Sequence, residues 1–380
     1  GRGAPALSDL MSQRDLVTRD NPQIMAVSGP MLDYYADTDG PQTVTDDEII
    51  ADIRFGHYHD RNQEDPKRIV IGVPTIGEID REIWRLPGGP IKSGWQGDIG
   101  YVIGERFMFA HLLVEEGTGT DLIEVTKRAY QRLLRFVASS PCPELLRVWN
   151  YLTRINDCER GLERYQAFCK GRSQAYAEAG IQAPQFPAAT AIGTFSPGLS
   201  IHLLSSCDPG TPIENPRQIS AYKYPRPYGP MPPSFCRGIY FLGPQSQLEL
   251  AISGTSSIIG HVTMHPGHLG RQLFETLRNL SSLSAPHNIA PVAATAPPLL
   301  LKIYLRYQAR IAEITPPLHT WSGPGARIIY LQGEICRKEL EIEIEAHCVV
   351  PATDKRWPSV NALTTHCEES EWIIPPSCRI

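Results

Sequence analysis

The chain has 380 residues, about two and a half times the usual domain size, so two domains or one two-lobed unit are expected. Its 42% hydrophobic and 20% charged residues exclude wholesale disorder. A net charge of −5 argues against a general nucleic-acid binder, which needs a clustered positive surface, so an anionic substrate would need a local arginine pocket.

No stretch offers the roughly 18 apolar residues of a membrane span. Gly1 to Leu10 lacks a basic segment followed by an apolar one, so no signal peptide is expected. The nine cysteines include no CxxC pair, and their odd number fits reduced thiols in a cytoplasm rather than a disulfide framework or a cysteine zinc site.

Residues 1–65 read as a polar, irregular N-terminal segment, with an acidic step at Asp46, Asp47 and Glu48. Strands are expected at 68–74, 101–104 and 107–115, with a Gly-rich turn region over 88–100. Leu122, Ile123, Val125, Ala129, Leu133 and Phe136 approximate the helical period, so 120–139 is predicted helical. A strand at 145–151 precedes a second helix over 162–180, with Gly180 as its stop signal. The Pro/Ala-rich stretch 183–190 is the expected boundary between a first lobe, 66–185, and a second, 186–380. In the second lobe, strands are expected at 193–205, 238–242 and 248–253, around a Pro/Tyr-rich loop at 224–233. A helix over 269–283 carries Leu273, Leu277 and Leu280 on one face. Pro-rich 286–298, a strand at 299–307, a long loop, and strands at 326–331 and 339–350 follow. The pattern predicts an α+β fold, with helices packed on one face of mixed sheets.

Glu339, Glu341, Glu343 and Glu345 alternate with Leu340, Ile342 and Ile344, giving a strand one acidic and one apolar face. The acidic face is either solvated or lines a cleft. In a cleft, carboxylates roughly 7 Å apart at an effective dielectric near 20 cost each other about 2 kcal/mol, enough to make one a general acid near neutrality. Arginines and tyrosines gather over 149–172 and again over 215–237. They are either surface ion pairs or a binding site for a carboxylated ring, since arginine forks onto carboxylates and tyrosine offers an apolar plane with a donor. His57-Tyr-His-Asp and His261-Val-Thr-Met-His-Pro-Gly-His lack a metal-ligand pattern. Ser253-Gly-Thr-Ser-Ser lacks a nucleophile elbow, and no Gly-rich phosphate loop occurs.

Ser253-Gly-Thr-Ser-Ser-Ile-Ile-Gly-His, the helix bearing Gln272, Thr276 and Asn279, and Glu343-Ile-Glu-Ala resemble the RidA/YjgF fold over about 250–350. Arg147-Val-Trp-Asn-Tyr, Pro187-Ala-Ala-Thr-Ala-Ile-Gly, Glu214-Asn-Pro-Arg-Gln-Ile-Ser-Ala-Tyr-Lys-Tyr-Pro-Arg and Gly333-Glu-Ile-Cys-Arg resemble the chorismatase family over about 65–350. That resemblance implies two fused RidA/YjgF-like lobes that cleave chorismate to pyruvate and a C7 ring acid, with no cofactor and no metal. It implies Glu343 as the acid protonating the enolpyruvyl methylene, and a monomer whose cleft lies between its own lobes. Cys336 resembles the cysteine near the ring in the branch forming 3-hydroxybenzoate. Ser256 stands where the family usually has Ala or Gly and is expected to bear on the product. The expected substrate-binding residues are Arg164 and Arg237 for the two carboxylates, Tyr151 and Tyr224 beside them, and Gly254 with Thr255. Competing expectations are release of 4-hydroxybenzoate as well, hydrolysis to a dihydroxycyclohexadiene carboxylate, imine hydrolysis of the RidA kind, and a non-catalytic aromatic-acid binder.

Overall fold

The computed structural model describes residues 31–36, 46–89, 91–117, 119–284 and 299–350. A first sheet holds β1 (Leu32–Ala36), β2 (Ile49–Phe55), β3 (Asp60–Arg61), β4 (Arg68–Ile71) and β5 (Ile79–Arg85) in the order β1-β5-β2-β4-β3. The first lobe then runs β6 (Lys92–Gln96), β7 (Ile99–Ile103), β8 (Phe107–Val114), helix α1 (Leu122–Ala138) and β9 (Glu144–Thr153). It continues through a ribbon of β10 (Cys158–Glu159) and β11 (Leu162–Glu163), helix α2 (Arg164–Glu178), β12 (Ala188–Thr194) and β13 (Leu199–Ser206). The second lobe has β14 (Thr211–Ile213), β15 (Gly238–Leu242), β16 (Leu248–Thr255) and a ribbon of β17 (Ile258–Ile259) and β18 (Val262–Thr263). Helix α3 (Leu269–Ser284), β19 (Leu300–Leu305), helix α4 (Ile311–Ser322), β20 (Arg327–Gln332) and β21 (Ile342–Val349) complete it.

The two lobes share one plan. Their sheets run β6-β7-β8-β13-β9-β12 and β14-β15-β16-β21-β19-β20. In each, the last pair is parallel, bridged by a helix, and the other neighbours are antiparallel. Helices α1 and α2 cover one face of the first sheet through Leu133, Phe168 and Tyr176, and α3 and α4 cover the second through Leu273, Leu277 and Trp321. The opposite faces meet the N-terminal sheet in a shared core holding Ile53, Trp84, Trp149, Tyr304 and Ile329. α1 starts where Asp121 accepts a hydrogen bond from Ile123 N at 3.0 Å. It can lie tightly on α2 because Gly171 has no Cβ, which would stand 2.3 Å from Ile123 O.

The α+β expectation holds, as do the helices expected at 120–139, 162–180 and 269–283. Three readings are corrected. The irregular segment 1–65 in fact contributes β1, β2 and β3. The charges of Asp52 and Arg54 masked β2, yet Asp52 is buried because Arg81 forks onto it with two 2.6 Å bonds. The first-lobe sheet runs through Ser206, past the expected boundary at 185/186. Its Ala-rich strand β12 is buried throughout because it packs at the junction with β16. The long loop after Tyr307 contains α4 despite Pro316 and Pro317, because Ile314, Leu318 and Trp321 bury an apolar face on the sheet. Pro-rich 286–298, the segment 1–30 and the C-terminal residues 351–380 lie outside the described residues.

Candidate active site

Neither face of strand β21 meets solvent, and Glu339, expected on the strand, lies exposed in the turn before it. Ile342 and Ile344 pack among the α3 leucines, while Glu341, Glu343 and Glu345 on the other face are all nearly buried. Each carboxyl has a different fate. Glu341 pairs with Arg310. Glu345 sits in a dense donor shell: Arg147 at 3.0 Å, Trp149 Nε1 at 2.9 Å, the Tyr304 hydroxyl at 2.9 Å and Lys302 Nζ at 3.7 Å. Burial pushes the Glu345 carboxyl up, but Lys302, Arg147 and these donors outweigh it and leave it below the usual range. Glu343 has one neutral partner, the Ser256 hydroxyl at 3.3 Å. Burial, with the Glu345 anion beside it, pushes Glu343 up to about 8, against the weaker pull of Ser256, Arg147 and Arg237. It is therefore an acid at neutral pH.

Glu343 lies in the wall of a cavity of about 240 Å³ between the lobes. Within the first lobe Arg147 donates to the Thr190 hydroxyl at 2.6 Å, and across the seam Gly254 N donates to the same oxygen at 3.0 Å. Ala189 N donates to Ser253 Oγ at 2.9 Å. The two bonds across the seam tie β12 to β16. Gly254 faces the acid so closely that a Cβ there would lie 2.0 Å from Glu343 Oε1. The other walls carry arginines. Arg237 donates to the Tyr224 hydroxyl at 2.7 Å and to Ile219 O at 3.0 Å, stacks 5.2 Å from the Phe235 ring, and keeps a buried Nε without an acceptor. It also attracts the nearby Glu214 carboxyl. Arg172 of α2, over the Phe168 ring, has Nε and Nη2 buried without acceptors. Arg337 lies 4.0 Å from the Tyr228 ring centre, and its Nη1 donates to His261 O. Cys336 is in the wall as well, its thiol pushed far up by burial and by Glu343, so it stays protonated.

The structure thus brings Glu343, Tyr224, Arg237, Gly254, Ser256 and Cys336 to one cavity. Three expected residues are elsewhere. Arg164, at the start of α2, pairs with Glu116 and Glu159 and donates to Thr153 O, so its guanidinium is fully engaged away from this cavity. Tyr151 shares a face of β9 with Arg147 and Trp149, and its hydroxyl meets that of Tyr304 at 2.8 Å behind Glu345. Thr255 points away from the cavity and donates to Ser253 O. The sequence reading missed Arg172, Arg337 and Thr190 as lining residues. Each adjoined or belonged to a segment already singled out, but nothing local distinguishes a lining arginine from a paired one. Among the described residues, no group of three or more His, Cys, Asp or Glu is placed to hold a metal ion, and no helix is long and apolar enough to cross a membrane.

A two-lobed α+β chain with a neutral buried acid facing under-satisfied arginines has the groups to receive an organic anion and to offer it a proton. The family model of the chorismatase FkbO/Hyg5-like N-terminal domain matches residues 82–205. A 3-hydroxybenzoate synthase from Streptomyces hygroscopicus is 33% identical over 284 residues, spanning 72% of this chain and 82% of its own. A chorismatase from the same organism is 30% identical over 318 residues, spanning 81% and 91%. A chorismatase crystal structure aligns with a TM-score of 0.75 at 27% identity, covering 86% of this chain and all of that one. The chain belongs to the chorismatase family, and it is an enzyme.

Proposed function

We propose that the protein cleaves chorismate to pyruvate and 3-hydroxybenzoate, with Glu343 as the general acid. The observation that carries this reading is a carboxyl held neutral to about 8 in the wall of a cavity that also presents Arg237 and Arg172. Chorismate is a dianion, and its two carboxylates suit the buried guanidinium donors that lack acceptors. Phe235 and Tyr224 supply apolar planes for the ring.

Glu343 gives its proton to the enolpyruvyl methylene carbon. The double-bond electrons form the new C–H bond, leaving an oxocarbenium at the ether carbon. The adjacent ring hydroxyl oxygen then displaces the ether oxygen from the neighbouring ring carbon, and pyruvate leaves with that oxygen and its bonding pair. The hydroxyl proton returns to the Glu343 carboxylate, and the resulting arene oxide rearranges to 3-hydroxybenzoate. Chorismate is divided between the two products, and no water is consumed. Cys336, a neutral thiol beside Glu343, guides the ring step. One observation favours a second outcome: the Ser256 hydroxyl beside Glu343 gives water a polar anchor in the cavity. Water attack on the oxocarbenium would give pyruvate and a dihydroxycyclohexadiene carboxylate. Both walls of the cleft belong to one chain, so the enzyme acts as a monomer. Its described cysteines, all free, suit a cytoplasmic setting.

The test is incubation with chorismate in D2O, followed by chromatography and mass spectrometry. Expected are 3-hydroxybenzoate and pyruvate in equal amounts, the pyruvate carrying one methyl deuterium delivered by the acid. A dihydrodiol acid would move the chemistry to hydrolysis, and absence of pyruvate would leave only a binding protein.

A further inference from the structure

The donors around Glu345 reach beyond the two lobes. Lys302 of β19, 1% exposed, stands 3.7 Å from Glu345 and 2.5 Å from Glu82, itself fully buried on β5 of the N-terminal sheet. The other Glu82 oxygen accepts from Trp84 Nε1 at 2.7 Å. Two acids, Glu82 and Glu345, thus face two bases, Lys302 and Arg147, in one buried cluster whose charges cancel. His202 stacks on Trp149 at 4.8 Å and is kept neutral by burial and by the cations around it, so it adds no charge.

We propose that Glu82, delivered by the N-terminal sheet, is a positioning residue for the reaction: by balancing Lys302 it leaves the cluster neutral and Glu343 with no ion pair of its own. The N-terminal sheet thereby sets the protonation of an acid it does not touch. Burial and the Glu345 anion are already the forces that hold the Glu343 proton, and the balanced cluster limits how far its cations oppose them, Arg147 pulling only weakly. The charged and titratable groups facing Glu343 are Glu345 on its own strand, Arg147 from β9, Arg237 before β15 and Cys336 before β21. Behind Glu345 stand Lys302 and Tyr304 of β19, Tyr151 of β9 and Glu82 of β5. Arg172 and Arg337 complete the cavity wall, with Glu163, Lys338 and Glu339 beside them.

The inference rests on Glu343 being the acid, so it is tested by a readout that does not need turnover. The infrared carbonyl band of protonated Glu343, assigned by its absence in E343Q, is titrated with pH in wild type, E82Q and E82D. Glu82→Gln keeps the shape and removes the charge, leaving the cluster one cation in excess. At a separation on the order of 10 Å and an effective dielectric near 20, the Glu343 midpoint falls by about one pH unit. The alkaline limb of kcat/KM falls with it, while KM changes little. Glu82→Asp keeps the charge, and the midpoint stays. A merely structural Glu82 predicts the reverse, with Asp more harmful than the isosteric Gln and neither moving the midpoint; that result overturns the proposal. Should E82Q not fold, Glu345→Gln removes the other acid at closer range and lowers the midpoint further; an unmoved midpoint there overturns it equally. A shifted band in a protein that does not turn over chorismate sinks the proposed function and spares the charge cluster.

Discussion

Replacing Glu343 by Gln keeps the side-chain shape and abolishes its titration. Burial, with the Glu345 anion beside it, raises the folded-state value from 4.5 to about 8. A raised carboxyl means that the folded protein binds this proton more tightly than the unfolded chain. The resulting stabilisation is complete below 4.5 and is lost as pH rises through about 8. At 1.36 kcal/mol per pH unit, roughly 4 kcal/mol of wild-type stability disappears between pH 5 and 9 through this group. Other groups titrate alike in both proteins, so the difference between them isolates Glu343. Urea unfolding at pH 5, 7 and 9 is expected to show E343Q gaining about 4 kcal/mol on wild type across that range, most of it before pH 8. Turnover of the variant at pH 7 is expected to fall by at least about a hundredfold. A stability gap constant to within about 1 kcal/mol would refute the claim that burial keeps the acid protonated, and full activity would refute its role.

Glycine 254 is expected to tolerate no side chain, since a methyl 2.0 Å from Glu343 Oε1 must displace the carboxyl. Gly254→Ala should therefore lower kcat by about two orders of magnitude, and a near-normal kcat would show that the acid does not act from this position. Arg237→Gln is expected to raise KM by about 10–100-fold, through loss of a charge-assisted bond to a substrate carboxylate. Arg164→Gln should instead leave KM in place and cost about 3 kcal/mol in unfolding free energy, because it strands Glu116 in a partly buried site. A KM effect at Arg164 comparable to that at Arg237 would contradict the separation of the two sites. Cys336→Ala is expected to reduce the share of 3-hydroxybenzoate among the ring products at unchanged pyruvate yield, measured by chromatography; an unchanged ratio removes Cys336 from the ring step.

What could be read from the sequence was mostly what is local. Alternation put Glu341, Glu343 and Glu345 on one face, though Glu339 lies in the turn before the strand, and the helical period located three helices, because both patterns depend on which side chains share a face. The family blocks located the segments that carry the site. Partners were not legible. Arg164 and Arg172 lie on the same helix two turns apart, yet one is held by Glu116 and Glu159 and the other lines the cavity. Glu343 and Glu345 are equivalent in the pattern, yet one keeps its proton and the other loses it. The difference lies in which distant groups packing brings near: Lys302 from β19, Arg147 from β9 and, behind them, Glu82 from β5, a strand the sequence reading passed over. A residue's own chain neighbours determine which way its side chain faces. Its charge state depends on burial and on counter-ions scores of residues away, and only the tertiary structure supplies those.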